Sequence, residues 1–480
     1  MPPMFDIFCI TLSKNIQLDL PGALIQSLQD AKGFDEAAFK AIHQSGGQVT
    51  SVRLNPEKKI KIQNSIFDDR EGTVPWSSAG YYLSQRPSFT LDPLFHAGAY
   101  YVQEASSMFL EEAIRQTVDV VQPLKVLDLC AAPGGKSTLI QSVISKESLL
   151  VSNEVIKARV NMLAENMTKW GSANVIVTNN DPADLKRLAD HFDLIVVDAP
   201  CSGSGLFRKD ANAISEWSEN NVNLCAQRQQ RILADIMPAL KNGGVLIYST
   251  CSYSRQEDEA IADWLLAEFN MESLALRTGE EWGIVETISE NGHAFGYRFY
   301  PDKVKGEGFF IAAFKKQHTF SDKGDEVKNQ KAKGKKKTES ITAKEAEMLR
   351  SYLAEPDKFF FIKQHEEVIA LPIQFEEELS LIQSALYIKK AGVKLGTIIR
   401  NELIPAHDLA VSTIINDKIP RLEVDKETAL QYLRKVDIKI DAAITGWVLL
   451  THQHLPLGWM KVMANRSNNY YPKEWRILNK

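Results

Sequence analysis

The chain has 480 residues, 44% of them hydrophobic and 9% aromatic, with a formal net charge of -5. That length suggests about three domains with real cores, and the charge excludes a global basic footprint for nucleic acid while leaving room for a local one. Five cysteines, Cys9, Cys130, Cys201, Cys225 and Cys251, follow neither disulfide-framework nor zinc-ligand spacing; they read as reduced thiols of a cytoplasmic protein without a metal, and no apolar run reaches bilayer length.

The start, MPPMFDIFCITLS, has no positive leader and contains Asp6, so residues 1–15 read as a disordered leader or a false start ahead of Met4. LPGALIQSLQDAKGFDEAAFKAIHQ then reads as two short helices, and VTSVRLNPEKKIKI alternates like strands around an Asn-Pro turn. Arg53, Asn55, Lys58, Lys59 and Lys61 form a local basic stretch, for which a solvated strand face is the plain alternative. Trp76, Tyr81, Tyr82, Tyr100 and Tyr101 are able to stack on bases, although aromatics at this density are more often core. A boundary is placed near residues 93–98.

From residue 124 to 316 strand and helix alternate. LKVLDLC, SLLVSNE, ANVIVTNND, FDLIVVDAP, VLIYSTCS and GFFIAAFKK are strands. GGKSTLIQSVIS and VIKARVNMLAENMTKWG are helices, the second closed by its glycine. A long helix is expected to end in Gly243-Gly244, and SRQEDEAIADWLLAEF to start from Ser254 as N-cap. This alternation predicts a parallel sheet buried on both faces, with ligands at the carboxyl ends of its strands. Residues 317–346 lose their apolar content and gain lysines, KGKKK among them, which reads as a solvated linker. From residue 347 to 480 strand-like runs return: EEVIALP, ALYIKKAGVKLGTII and AITGWVLLTHQHLPLGWMKVM.

The first strand-to-helix turn is Asp128-Leu129-Cys130-Ala131-Ala132-Pro133-Gly134-Gly135-Lys136-Ser137. Its small residues let a backbone approach a ligand closely. It has neither the Walker A nor the GxGxxG spacing, and alone it is ordinary punctuation. The next strand ends in Glu154, about 20 residues past the glycines, where a carboxylate accepts from ribose hydroxyls. The third ends in Asn180-Asp181, placed for an adenine amino group. Together they favour an adenosine cofactor, and S-adenosylmethionine fits because its sulfonium needs no phosphate cradle. Two further strands end in thiols: Asp198-Ala199-Pro200-Cys201 and Ser249-Thr250-Cys251. A lone strand-end cysteine is usually an inert buried thiol. Two of them beside Asp198 and a cofactor turn suggest one pocket, if their strands are neighbours.

CAAPGGKS, Asp198-Ala199-Pro200-Cys201-Ser202-Gly203 with GSGLFRKD, Tyr248-Ser249-Thr250-Cys251-Ser252 and Gly306-Glu307-Gly308-Phe309-Phe310, with Gln103-Glu104-Ala105-Ser106-Ser107 ahead of them, resemble the RNA cytosine carbon-5 methyltransferases of the nucleolar/Sun family. The likeness spans residues 53–316. FRKD, Leu455-Pro456-Leu457-Gly458-Trp459 and the Tyr-Pro-Lys ending resemble its bacterial branch that acts on 16S ribosomal RNA. The resemblance implies Cys251 as the nucleophile that adds to cytosine carbon-6, Cys201 as the thiol that assists product release, and Asp198 as a contact to the cytosine. It implies S-adenosylmethionine held by Cys130, Ala131, Ala132, Pro133, Gly134, Gly135, Lys136, Glu154, Asp181 and Asp198. Lys136 and Arg208 are candidates to lower a thiol pKa.

The expected architecture is α/β. A Rossmann-like, doubly wound S-adenosylmethionine-dependent methyltransferase sheet spans residues 96–316. A small N-terminal α+β domain that contacts RNA spans residues 16–95, and a β-rich PUA-like RNA-binding domain spans residues 347–480. The expected partner is RNA, 16S ribosomal RNA or the small subunit, and the expected state a monomer. Rivals are a transfer-RNA cytosine-5 methyltransferase and a catalytically idle ribosome-assembly factor. An exocyclic-amine methyltransferase needs no thiol after this strand, and a DNA cytosine methyltransferase would leave Cys251 without a task. Cys9 and Cys225 are expected to be inert.

Overall fold

The structure is a computed structural model that describes residues 19–59, 66–318, 340–364, 366–438 and 444–478. The leader, Lys61 and the KGKKK run lie outside these residues.

A ten-stranded sheet forms the centre. Its parallel part runs in the order Val175–Thr178, Leu149–Asn153, Lys125–Asp128, Phe192–Asp198, Leu240–Thr250. The Val, Ile and Leu runs of these strands are buried on both faces, as a parallel sheet under two helical layers requires. Lys125–Asp128 is flanked by Leu149–Asn153 on one side and Phe192–Asp198 on the other. Successive connections therefore wind away from it in opposite directions, which opens a crevice at its carboxyl end.

The sheet is mixed beyond this core. Phe309–Lys316 runs antiparallel beside Leu240–Thr250, with Phe310 opposite Thr250. Three short strands that the sequence reading did not include, Met271–Leu274, Val285–Ile288 and Phe295–Phe299, add to that flank. They are four or five residues long with mixed polarity, so neither period stands out. Gly243 and Gly244 do not end a helix: helix Glu219–Ile236 stops earlier, and both glycines lie inside strand Leu240–Thr250. There Gly243 has φ +77 and the register with the neighbouring strand shifts, the mark of a glycine bulge. Ser254 is not an N-cap either, because helix Glu259–Glu268 begins five residues after it. The residues between are drawn into the site described below.

The N-terminal sheet has the order Arg70–Thr73, Gly80–Leu83, Thr50–Leu54, Tyr100–Val102. Its last strand lies past the boundary expected near residues 93–98, because Tyr100–Val102 pairs with Thr50–Leu54. The basic stretch on this sheet is not an open face. Arg53, Asn55 and Lys58 are buried. Asn55 Nδ2 donates to Gly98 O and Trp170 O at 3.0 Å, and Lys58 Nζ donates to Ala97 O and Lys169 O at 2.5 Å. Arg53 stacks over Trp170 at 4.7 Å and donates to Gln103, Ser142 and Thr138. The last carbonyls of helix Lys157–Trp170 have no partner within the helix and carry its negative end, so buried donors gather there. Of the stretch only Lys59 is exposed among the described residues. The aromatics are core as well: Trp76, Tyr82 and Tyr100 are buried, and Tyr81 and Tyr101 are half-buried.

The C-terminal part holds two four-stranded sheets. Strand Ile388–Ala391 belongs to neither. It pairs antiparallel with Val175–Thr178 and becomes the edge of the central sheet. Val52, Leu94 and Tyr100 of the N-terminal part share a core with Tyr432, Leu433 and Leu457 of the C-terminal part. Among the described residues no helix is long and apolar enough to cross a membrane, and no group of His, Cys, Asp and Glu is placed to hold a metal.

Candidate active site

Strands Phe192–Asp198 and Leu240–Thr250 are parallel neighbours, with Asp198 opposite Ser249. Each chain leaves the sheet at the same level, so the residues just beyond meet. Cys201 Sγ lies 2.8 Å from Cys251 Sγ, and both are free thiols. The approach is set by backbone: Ala199 N donates to Ser249 O at 2.9 Å and Gly205 N to Cys251 O at 2.8 Å. A Cβ on Gly205 would stand 2.5 Å from Gly308 O and 2.8 Å from Cys251 O. Only glycine lets these three segments close together. The hydrogen bond to Cys251, with burial behind it, pushes the Cys201 thiol well up and keeps it protonated.

Asp198 accepts from Ser249 Oγ at 2.9 Å and pairs with Lys136 Nζ at 2.7 Å. Burial alone would push the Lys136 ammonium down, but Asp198, Cys251 and Asp128 together raise it. Lys136 is thus a fixed cation paired with Asp198. Arg208 is used elsewhere: it donates to Gly306 O and Glu307 at 3.2 Å and to Gly47 O. Replacing Lys136 by methionine, which leaves Asp198 without its cation, is expected to lower kcat on the order of 10²-fold; steady-state turnover of the variant checks it.

The turn from Cys130 to Lys136 follows strand Lys125–Asp128 at the mouth of the crevice. Gly134 takes φ +118, a conformation that favours glycine, just before helix Gly135–Val143. Arg159 donates to Ala132 O, and Asn166 Nδ2 to Pro133 O at 2.8 Å, which fixes the turn from outside. Burial raises the Cys130 thiol, so it stays protonated at this turn. Asp128 is fully buried; one oxygen accepts from Ser137 Oγ at 2.6 Å and the other has no partner. Burial pushes this carboxyl up to about 7, with Asp198 and Glu154 adding to the rise. An unsatisfied buried acceptor among three carboxylates fits a cationic ligand. Glu154 is buried at the next strand end, accepting from Ile156 N at 2.8 Å, with Arg159 at 3.6 Å. Asp181 lies one strand further, exposed, and accepts from Ala183 N at 3.0 Å. The crevice thus presents Asp128, the glycine turn, Glu154 and the Asp198–Lys136 pair in line with the two thiols, and Asp181 at its far end.

The sequence reading missed the acidic run Glu257-Asp258-Glu259. Asp258 accepts from Thr250 Oγ1 at 2.6 Å, one residue before Cys251. Arg298 reaches Asp258 at 3.3 Å, donates through Nε to Glu259 at 2.7 Å, and donates to Tyr253 O at 2.8 Å. These charges are buried and mutually paired, which anchors the turn after Cys251 to strand Phe295–Phe299. Three acids in succession directly before an apolar helical run was the available signal. Glu104, quoted in its block without a role, accepts from Ser106 N, Ser107 N and Glu307 N at 2.8–2.9 Å and so joins two of the blocks. Cys225 is buried on helix Glu219–Ile236.

The family described as 16S rRNA methyltransferase RsmB/F matches residues 116–315. The N-terminal domain of 16S rRNA methyltransferase RsmF matches residues 20–105, and the methyltransferase RsmF PUA domain matches residues 419–477. Ribosomal RNA small subunit methyltransferase F of Aeromonas salmonicida is 31% identical over 449 residues, 88% of this chain and 90% of its own. The protein of the same name from Escherichia coli is 28% identical over 415 residues, 84% of each chain. The crystal structure of NSun6 from Pyrococcus horikoshii is similar in fold, with a TM-score of 0.52 at 19% identity, covering 63% of this chain and 100% of its own.

Proposed function

The chain belongs to the family of ribosomal RNA small subunit methyltransferase F, and from that premise we propose that it forms 5-methylcytosine in 16S ribosomal RNA through a covalent cysteine adduct. The observation that carries this reading is the contact between Cys201 and Cys251 on adjacent strands, with the Asp198–Lys136 pair beside them.

S-adenosylmethionine supplies an electrophilic methyl group on a positive sulfonium. The turn from Cys130 to Lys136, Glu154, Asp181 and Asp198 would hold it, and the unpartnered oxygen of buried Asp128 suits its cationic end. Cytosine carbon-5 is a poor nucleophile. The Cys251 thiolate forms a bond to carbon-6, and the ring π pair moves toward carbon-5, which then accepts the methyl group. Lys136 is the cation on this side of the site, and Asp198 hydrogen-bonds the cytosine and favours protonation at ring nitrogen-3, so that thiolate addition leaves a neutral ring with an enamine-like carbon-5. A base then removes the carbon-5 proton. The freed pair restores the ring double bond, the carbon-6–sulfur bond breaks, and Cys201 hands its proton to the departing sulfur.

RNA is gripped by the flanking units, with the target base flipped into the crevice. Since Arg53, Asn55 and Lys58 are consumed inside the protein, that grip uses other side chains. Methylation of naked 16S ribosomal RNA, isolated small subunits and transfer RNA, read by nucleoside mass spectrometry, tests the reading. The expected product is 5-methylcytosine on 16S ribosomal RNA or the subunit. Methylation confined to transfer RNA would instead favour that rival, and no methylation at all the idle assembly factor.

A further inference from the structure

Glu257 lies on neither cysteine strand, yet it touches both cysteine turns. Its carboxylate is fully buried and accepts from four donors. Oε1 takes Ser202 N at 2.8 Å and Gln229 Nε2 at 3.0 Å; Oε2 takes Ser252 Oγ at 2.7 Å and also Ser202 Oγ. Ser202 follows Cys201 and Ser252 follows Cys251. Gln229 also donates to Pro200 O, just before Cys201, at 3.0 Å. Tyr248 Oη donates to the Glu257 backbone carbonyl at 2.7 Å, which ties this turn to the Cys251 strand.

The two thiols are not held equally. Cys251 directly follows a strand paired on both sides, to Phe192–Asp198 and to Phe309–Lys316, and its carbonyl is taken by Gly205 N. Cys201 sits in a loop beyond Pro200. Its neighbours on both sides, Pro200 and Ser202, are fastened through Gln229 and Glu257. Losing this carboxylate therefore displaces Cys201 more than Cys251. Proton transfer between sulfurs tolerates little displacement.

We propose that Glu257 is a positioning residue that sets the Cys201–Cys251 separation, and through it the release of the RNA adduct rather than its formation. This rests on the covalent reading above. Ser202 N and the Gln229 amide donate on one side, so a glutamine at 257 must keep its carbonyl there and turn its NH2 toward the Ser202 and Ser252 hydroxyls; those two bonds to a carboxylate oxygen are lost and the hydroxyls must reverse from donors to acceptors.

The test is the denaturation-resistant protein–RNA adduct formed with 16S ribosomal RNA and S-adenosylmethionine. Glu257→Gln is expected to slow turnover about 10–100-fold, to accumulate adduct above wild type, and to leave KM for S-adenosylmethionine unchanged. Combined with Cys201→Ala it should release adduct no more slowly than Cys201→Ala alone, because both act on one step. Ser252→Ala, which removes one of the four donors, should give a smaller rise in adduct; it decides the matter if Glu257→Gln does not fold. The proposal is overturned if Glu257→Gln, or Ser252→Ala in its place, lowers turnover and adduct together, or if the double variant releases more slowly than Cys201→Ala. Failure of Cys201→Ala itself to trap adduct would overturn the covalent reading instead.

Discussion

Replacing Cys201 by alanine should leave the enzyme fastened to its RNA. Cys251 would still add to carbon-6 and methylation would still occur, but the departing sulfur would lack the proton donor that stands 2.8 Å away in the native site. A band that survives denaturation, containing methylated RNA, is the expected readout on a gel. Cys251→Ala should show the opposite: no adduct, and a loss of turnover of at least about 10⁴-fold, as for removal of other covalent nucleophiles. Geometry alone does not assign the roles, since the sulfurs touch one another. The assignment rests on the blocks themselves: Thr250-Cys251 matches the position of the family's nucleophile and Pro200-Cys201 that of its release thiol. An adduct from Cys251→Ala and none from Cys201→Ala would exchange the two roles.

Gly98→Ala should be the most damaging single methyl group away from the crevice. Gly98 has φ +67, and a Cβ there would stand 1.8 Å from Lys169 O at the end of helix Lys157–Trp170. That carbonyl cannot retreat without breaking its bond to buried Lys58. The left-handed backbone costs about 1–2 kcal/mol, and the forced shift of a packed helix end takes the loss to about 4 kcal/mol or more. Gly46→Ala is the control. Gly46 has φ +65 but nothing within 4 Å of its Cβ position, so it should lose only the backbone part. The difference in thermal midpoint between the two variants measures the clash.

Chemistry was more legible in the sequence than surface. The thiols, Asp198, Glu154 and the glycine turn all fall at strand ends, and parallel strand ends share one edge, so reading the strands placed them together. Nothing comparable governs Arg53, Asn55 and Lys58. A run of cations shows its charge but not which helix end it will meet, and here that end lies more than 110 residues away, at Lys169 and Trp170. Glu257 escaped for a related reason. Its run looked like the polar start of a helix, and only the folded turn shows four donors converging on it. The strand Ile388–Ala391 was read as part of the C-terminal domain because its sequence says strand without saying beside which partner.

That last strand has a consequence for how the protein is born. Until translation passes residue 391, strand Val175–Thr178 is an open edge with unpaired backbone groups. That edge strand, threaded out amino end first, thus waits unpaired on its open side while roughly two hundred further residues are synthesised. A message truncated after the linker would yield the whole catalytic sequence but a raw-edged sheet, inviting aggregation or proteolysis. The seam between the catalytic sheet and the C-terminal part thus makes completion of one depend on synthesis of the other.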